Sequence, residues 1–511
     1  MNFLAAPVAL AAACFASLAL TPLIIQLATR WGVVDCPDGR RKHQKAPIPL
    51  GGGVAVALAA ALAAVATIVG FSDASLGGSR LASGLVPAAA VLIIVGLIDD
   101  VLTLTGIYKL LGQVLAVSIL VYSGFQFESV SVLGWSVPFG RYAAPFSIFF
   151  CLGAINAFNL LDGADGLASS IGAIVSLTLA IITWSMHDYI DSVACLAFAG
   201  ALLGFLNFNR VPARIYLGDT GSMLIGLFVA AVAINCSIKE QAAFALAVPI
   251  AVCAIPILDA AAALVRRVTT RQSVFTPDRG HLHHALLLRG WSVGKTVGFI
   301  AGLTAMTCLG AIVSFFANNE LFAILATLGV FGALSALRIF GHSELRLIAS
   351  HTRALGRRVL RGTPFKRVAG RGKMLDLENA VHLQGNREWH NVWFALREAA
   401  PGYHLVGLRL NVNIPHLHES FYASWTKEEQ SGDEPWRLQL PLRSEDRVVG
   451  KLVIMGDAAR PQTLQEMQSL LEFLEPLEAE IERLIAHVPA AAPVTPAPKV
   501  RPVAPALAAR R

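Results

Sequence analysis

Residues 144–186 read APFSIFFCLGAINAFNLLDGADGLASSIGAIVSLTLAIITWSM. An apolar run over 144–160 is followed by a polar break and then by a second apolar run over 167–186. Each is close to the ~20 mostly apolar residues that cross a bilayer as a helix. In the first run Asn156, Asn159 and Asp162 recur at spacing three, which puts them on one helical face. Amides and acids facing lipid are costly, so this stripe faces a protein cleft. The plainer alternative is interhelical hydrogen bonding through Asn. Asp165 continues the stripe past Gly163.

Outward from this pair the same alternation recurs. Eleven apolar runs span about 4–28, 52–71, 83–102, 110–125, 144–160, 167–186, 193–208, 222–236, 243–264, 296–316 and 320–339. The chain has 511 residues, 55% hydrophobic and 15% charged, with mean hydropathy +0.60. An ordinary soluble domain carries about 25% charged residues, so a plain soluble enzyme is excluded. The deficit is uneven, with 33 charged residues in 1–340 and 42 in 341–511. A long membrane region precedes a water-soluble one.

Loops after odd-numbered runs carry Arg30, Arg40, Arg41, Lys42, Lys45, Lys109, Arg210, Arg214, Arg266, Arg267, Arg271, Arg279, Arg289 and Lys295. Those after even-numbered runs carry only Arg80, Arg141 and Lys239. The positive-inside rule then sets the N-terminus outside and the odd loops in the cytoplasm. It also accounts for the net charge of +7 without nucleic acid, since no basic face forms on the soluble part. The run over 4–28 lacks a basic leader and is followed by Arg30, which reads as a retained span. The seven cysteines form no CxxC pair and sit mostly in apolar runs, as small buried side chains.

The fold class expected is an all-α polytopic membrane protein of about eleven transmembrane helices over 1–340. A basic juxtamembrane linker follows over 341–373, with Glu344 its one acid and a charge suited to anionic membrane lipid. Residues 374–486 read as a small cytoplasmic α+β domain, GAF-like in pattern, with strands at 405–413, 436–442 and 448–456 and a closing amphipathic helix. Through it a homodimer or a regulatory partner would bind. The Ala/Pro-rich stretch 487–511 reads as a disordered tail.

Five loops on the odd side gather polar chemistry. The first runs Asp35-Cys-Pro-Asp-Gly-Arg-Arg-Lys-His-Gln-Lys-Ala-Pro-Ile-Pro-Leu-Gly-Gly-Gly53, where cations precede a glycine-rich helix start that suits an anion. The second, GLIDDVLTLTGIYK (96–109), ends a span on Asp99 and Asp100; paired carboxylates suit Mg²⁺ beside phosphate, or one serves as a base. The third is the Asn156 to Asp165 stripe. In NRVPARIYLGDTGSM (209–223), Asp219 sits in a glycine-flanked turn before a span, as a metal ligand or an N-cap. FTPDRGHLHHALLLRG (275–290) carries Asp278, Arg279, His281, His283 and His284. His281 and His284 can share a helical face as in zinc sites, but no third ligand accompanies them, and imidazoles beside Arg279 suit a diphosphate better. Asp259 lies inside a span, where an acid is a functional hypothesis by default.

Taken in order, these loops resemble the polyprenyl-phosphate N-acetylhexosamine-1-phosphate transferases, over about 1–340. His281-Leu-His283-His284, in place of three consecutive histidines, and the Pro-Ile-Pro-Leu-Gly-Gly stretch are similar to the branch that uses undecaprenyl phosphate and UDP-GlcNAc. The resemblance implies attack of a lipid phosphate on the β-phosphorus of a UDP-N-acetylhexosamine, release of UMP, and dependence on Mg²⁺ or Mn²⁺. It implies that Asp219, with the side-chain oxygen of Asn159, holds the metal, and that Asp99, Asp100, His281, His283 and His284 act in catalysis. His43, Lys45, Asp162, Asp165, Asn209, Tyr216 and Arg279 match substrate-lining positions. It further implies a bacterial inner-membrane enzyme with a cytoplasmic active site. The alternatives are a phospho-MurNAc-pentapeptide transferase and, from another class, a transporter or scaffold. A transporter would place its ionisable groups near the midplane and show repeats.

Overall fold

In the computed structural model the described residues are 4–36, 46–71, 80–132, 135–239, 247–270, 280–349, 352, 377–385, 387–414, 417, 419–427, 436–444, 447–457 and 464–486. They fall into two compact units, one helical and one α+β.

The helical unit runs α1 (Ala5–Trp31), α2 (Gly52–Phe71), α3 (Val86–Leu102), α4 (Gly106–Tyr122), α5 (Ala143–Leu161), α6 (Leu167–Ser185), α7 (Tyr189–Asn209), α8 (Gly218–Lys239), α9 (Ala247–Val252), α10 (Ala254–Thr269), α11 (Leu282–Leu288), α12 (Val293–Phe316) and α13 (Leu321–Ala336). Two short antiparallel pairs lie in its connections, β1 (Val34–Asp35) with β2 (Ile48–Pro49), and β3 (Ser129–Val132) with β4 (Trp135–Pro138). Among the described residues eight helices are long and apolar enough to cross a membrane: α1, α2, α3 with its preceding turn, α5, α6, α7, α8 and α12.

That differs from eleven uninterrupted runs in three places. The runs at 110–125 and 320–339 form the shorter helices α4, of 17 residues, and α13, of 16. The run at 243–264 breaks at Cys253 into α9 and α10. Pro256 explains the restart, because proline fits the first turn of a helix and not its interior.

Small residues hold the bundle together, since lipid supplies no hydrophobic drive between helices. Ala5, Ala9, Ala13, Ser17 and Thr21 form a buried stripe along α1. Facing it on α7, a Cβ on Gly200 would stand 2.2 Å from the Leu10 carbonyl oxygen, and one on Gly204 2.4 Å from that of Cys14. The innermost span is α8, 83% of its apolar window being buried. Its N-terminal turn is gripped by α2 and α3, where a Cβ on Gly53 would lie 2.3 Å from Gly221 N and one on Gly96 2.4 Å from Thr220 Cα. The start of α8 is therefore fixed by backbone against backbone.

In the second unit five strands, β5 (Leu377–Gln384), β6 (Leu405–Ile414), β7 (Glu419–Thr426), β8 (Trp436–Ser444) and β9 (Arg447–Gly456), form one sheet in the order β5-β7-β6-β9-β8. Two helices, α14 (Trp389–Ala399) and α15 (Leu464–Ala486), share its core, in which Trp389, Trp393, Leu410, Val412, Phe421, Ile454, Leu470 and Ile481 are buried. The stretches 405–413, 436–442 and 448–456 lie in β6, β8 and β9. The period-2 signal did not single out β5, β7 or α14. β5 interleaves polar residues, and β7 alternates only weakly. Of the linker 341–373 only 341–349 and 352 are described, and the tail 487–511 lies outside the described residues.

Candidate active site

The polar ends of α3, α4, α5 and α8 meet. Thr103-Leu104-Thr105 turns the chain from α3 into α4, with Thr103 at φ 49°. Asp99 stabilises that turn by accepting from Leu104 N at 2.7 Å. The turn places Lys109, in the first turn of α4, among three oxygens from three helices. Its Nζ lies 2.8 Å from Asp219 Oδ2, 3.0 Å from Asp99 Oδ2 and 3.1 Å from Asn159 Oδ1. The Asn159 amide can take only this orientation, because an ammonium cannot accept and a carboxylate cannot donate. Its Nδ2 donates to Asp219 Oδ1 and to Ser222 Oγ, the latter at 2.9 Å. The cluster opens at Asp219, 35% exposed, while Asp99 is 8% exposed.

Asp100 points to different work. Its Oδ1 accepts from Asp219 N at 2.9 Å and its Oδ2 from Thr220 Oγ1 at 3.1 Å, so it caps the N-terminus of α8 from another helix. Gly218, at φ +75°, is required there, since a Cβ would stand 2.7 Å from Asp100 Oδ2. The adjacent acids thus separate, Asp99 facing the ammonium and Asp100 the helix end.

The polar stripe of α5 also divides. Asn156 donates to Gln113 Oε1 at 2.9 Å, a link to α4, whereas Asn159 belongs to the cluster. In the loop beyond α5, burial pushes the Asp162 carboxyl up to about 8, with the Asp219, Asp100 and Asp165 carboxylates adding to the rise. Asp165 Oδ2 accepts from Ala213 N at 2.9 Å. Asn209 is buried, its Oδ1 accepting from Ser169 Oγ at 2.9 Å and its Nδ2 donating to Ile215 O at 3.0 Å. Both therefore brace the 210–217 loop. Tyr216 ties that loop to the first one, its N–H donating to Pro49 O at 2.9 Å. Partial burial pushes its phenol up to about 12.

The histidines form a second group. Asp259 on α10 holds the start of α11 with both oxygens, Oδ2 at 3.0 Å from His281 Nδ1 and Oδ1 accepting from Leu282 N at 2.9 Å. That assigns the proton to Nδ1 of His281. His283 is 1% exposed, and among the described residues neither ring nitrogen has a hydrogen-bond partner. Burial drives its imidazole down to about 4, so it is neutral at pH 7. Its ring lies 4.2 Å from that of His284 and presses on the Asp162 loop, where a Cβ on Gly163 would stand 2.4 Å from His283 Nε2. Seven residues along α10 from Asp259, the buried Arg266 guanidinium packs beneath Gly280 and pairs with Glu344, which also accepts from Ser343 Oγ at 2.9 Å.

Asp99, Asp100, Asn159 and Asp219 are therefore brought together, with Asp162 beside them, and His283 reaches the same loop at Gly163, the His281 and His284 rings standing beside it. His43, Lys45 and Arg279 lie outside the described residues. The central omission of the residue-type reading was Lys109, which counts there only as a charge that sets topology. The signal available was a lone cation at the start of an apolar helix, ten and nine residues after Asp99 and Asp100. Among the described residues no group of three or more His, Cys, Asp or Glu is disposed to hold a metal. The Asp99, Asn159 and Asp219 oxygens nonetheless converge on one cation, and an all-oxygen set of this kind suits a hard ion such as Mg²⁺.

Apolar helices long enough to cross a membrane, with carboxylates, an ammonium and imidazoles gathered at their ends and loops, are the architecture of a multi-pass membrane protein. The family model for glycosyl transferase family 4 matches residues 82–237, which include every residue of the Lys109 cluster. The chain is 30% identical over 302 residues to a probable undecaprenyl-phosphate N-acetylglucosaminyl 1-phosphate transferase of Bacillus subtilis, covering 58% of this chain and 82% of that one. It is 33% identical over 318 residues to a decaprenyl-phosphate N-acetylglucosaminephosphotransferase of Mycobacterium tuberculosis, covering 57% and 78%. It is 31% identical over 306 residues to a phospho-N-acetylmuramoyl-pentapeptide-transferase of Geobacillus kaustophilus, covering 57% and 91%. The chain belongs to glycosyl transferase family 4.

Proposed function

We propose that this protein transfers N-acetylhexosamine 1-phosphate, GlcNAc 1-phosphate first among the candidates, from a UDP-sugar to undecaprenyl phosphate, releasing UMP. The observation that carries the reading is the convergence of Asp99, Asn159 and Asp219 oxygens on one cationic point where helix ends meet and Asp219 is part-exposed. Phosphoryl transfer needs alignment and charge neutralisation more than covalent chemistry, and this cluster supplies both. The same reading has eleven crossings, α9 and α10 together making one, and places the polar end, the N-terminus of α8 and the C-terminal unit on the cytoplasmic side of a bacterial inner membrane.

Asp219, with Asp99 and the Asn159 oxygen, would hold a Mg²⁺, which when bound offsets charge on the diphosphate. The chain's own groups do the rest. An oxygen of the lipid phosphate forms a bond to the β-phosphorus while the bond from β-phosphorus to the bridging oxygen breaks, and UMP leaves with that oxygen. A phosphate monoester has its second pKa near 6, so the attacking oxygen is already anionic at pH 7. No carboxylate has to remove a proton, which agrees with the commitment of Asp100 to the α8 end. The imidazoles of His283 and His284 supply N–H donors for the phosphates, and His281 does so through Nε2 as the imidazolium. His281 is oriented for this by Asp259.

The test is incubation of the purified protein with undecaprenyl phosphate, Mg²⁺ and radiolabelled UDP-GlcNAc, following label in the lipid phase and UMP release. Transfer that stops with EDTA is the expected result. Activity on UDP-MurNAc-pentapeptide instead would move the protein to the reading favoured by its similarity to the Geobacillus enzyme. Silence with every UDP-N-acetyl sugar overturns the proposal.

A further inference from the structure

We infer that Lys109 is an exchangeable occupant of the cation position: its ammonium and a divalent cation compete for the same three oxygens, and cation binding frees the ammonium for the anionic substrate. The inference rests on the cation-dependent reading above and adds a role for a residue which that reading leaves unassigned.

An ammonium has three N–H donors and accepts nothing. Here three acceptors stand at 2.8, 3.0 and 3.1 Å, namely Asp219 Oδ2, Asp99 Oδ2 and Asn159 Oδ1. The ammonium is saturated within the protein and has no donor left for a phosphate. A Mg²⁺ ion on the same oxygens needs them at 2.0–2.1 Å, which excludes a nitrogen from their centre. The two occupants are mutually exclusive.

Charge favours the exchange. Two carboxylates against one ammonium leave the cluster at −1, whereas a divalent ion brings it to zero. The displaced ammonium keeps a way out, because Lys109 stands in the first turn of α4 on a flexible four-carbon stem and is 16% exposed. The oxygens, by contrast, are held in place. Asp99 is fixed by Leu104 N, Asn159 by Ser222, and Asp219 by the glycine-packed start of α8. A mobile cation among fixed acceptors is a placeholder. It keeps the acids from repelling one another when no metal is bound, and it delivers a positive charge beside the reacting phosphate once one is.

The experiment measures Mn²⁺ binding to the purified full chain by loss of the free-ion EPR signal, without substrate. Lys109→Met removes the competitor and is expected to bind one Mn²⁺ at least about tenfold more tightly than wild type, within the 5–150-fold range of ordinary site coupling. Asp219→Asn is expected to lose the site. Because Lys109→Met carries a risk of misfolding, the wild-type protein supplies a second readout: acetylation of Lys109 by an amine-reactive reagent, followed by mass spectrometry, should rise several-fold on adding Mn²⁺. Equal Mn²⁺ affinity in wild type and Lys109→Met, or unchanged Lys109 labelling, overturns the exchange and leaves the cation-dependent reaction standing. Absence of Mn²⁺ binding to wild type and Lys109→Met alike overturns both.

Discussion

Asp219 is the residue on which the site turns, because it joins the α8 start, the Asn159 amide and the Lys109 ammonium. Asp219→Ala is expected to lower transfer by about a thousandfold, the order lost when a preorganised electrostatic group is removed. The bundle should remain folded, with an unchanged elution volume in detergent; turnover near wild type would remove the metal assignment. His283 carries a pH prediction. Its folded value near 4 lies below the 6.5 of an unfolded imidazole, so it favours the native state above pH 6.5 and ceases to as pH falls toward 4. Thermal unfolding of His283→Gln should therefore decline less than that of wild type between pH 6.5 and 4. Parallel declines would contradict the burial argument.

Elements place these residues through contacts that tolerate little change. Gly53→Ala pushes a methyl against the backbone of Gly221, where neither helix can yield by side-chain motion. Overpacking of this kind costs about 1–3 kcal/mol, and it should appear as a lowered unfolding midpoint together with reduced transfer. On the other side of the site, α10 splints the histidine loop, Asp259 holding His281 and Leu282 while Arg266 packs beneath Gly280 and pairs with Glu344. Glu344→Ala leaves a buried guanidinium without its carboxylate, at a cost of about 3–5 kcal/mol. Full stability of that variant in chemical unfolding would show that the pair is not buried in solution. The break between α9 and α10 was legible after the fact in Pro256. Hydropathy over 243–264 is continuous and does not register where a proline restarts a helix.

For the whole molecule, the family match and the described site lie in the helical unit, while the α+β unit has its own core of buried tryptophans, leucines and isoleucines. A chain ending before residue 377 is expected to retain transfer within about twofold when assayed with saturating substrates, a change in the activation barrier of under ~0.5 kcal/mol. Loss of transfer in a correctly folded truncated protein would make the second unit part of the catalytic machinery.

The amino-acid sequence by itself determined the membrane character, the gathering of acids and histidines in the odd loops, and the acidic and amide positions that meet in the cluster. These are properties of composition, hydropathy period and loop alternation, each readable within a window of about twenty residues. Only the tertiary structure decided that Asp99 and Asp100 part company, that Asn156 binds helices while Asn159 faces the site, and that Lys109 completes the cluster. The physical reason is distance along the chain. Those outcomes depend on which helix ends meet, and that is set by glycine and alanine stripes packing backbone on backbone, a signal carried by the absence of side chains and not by any chemistry a motif displays.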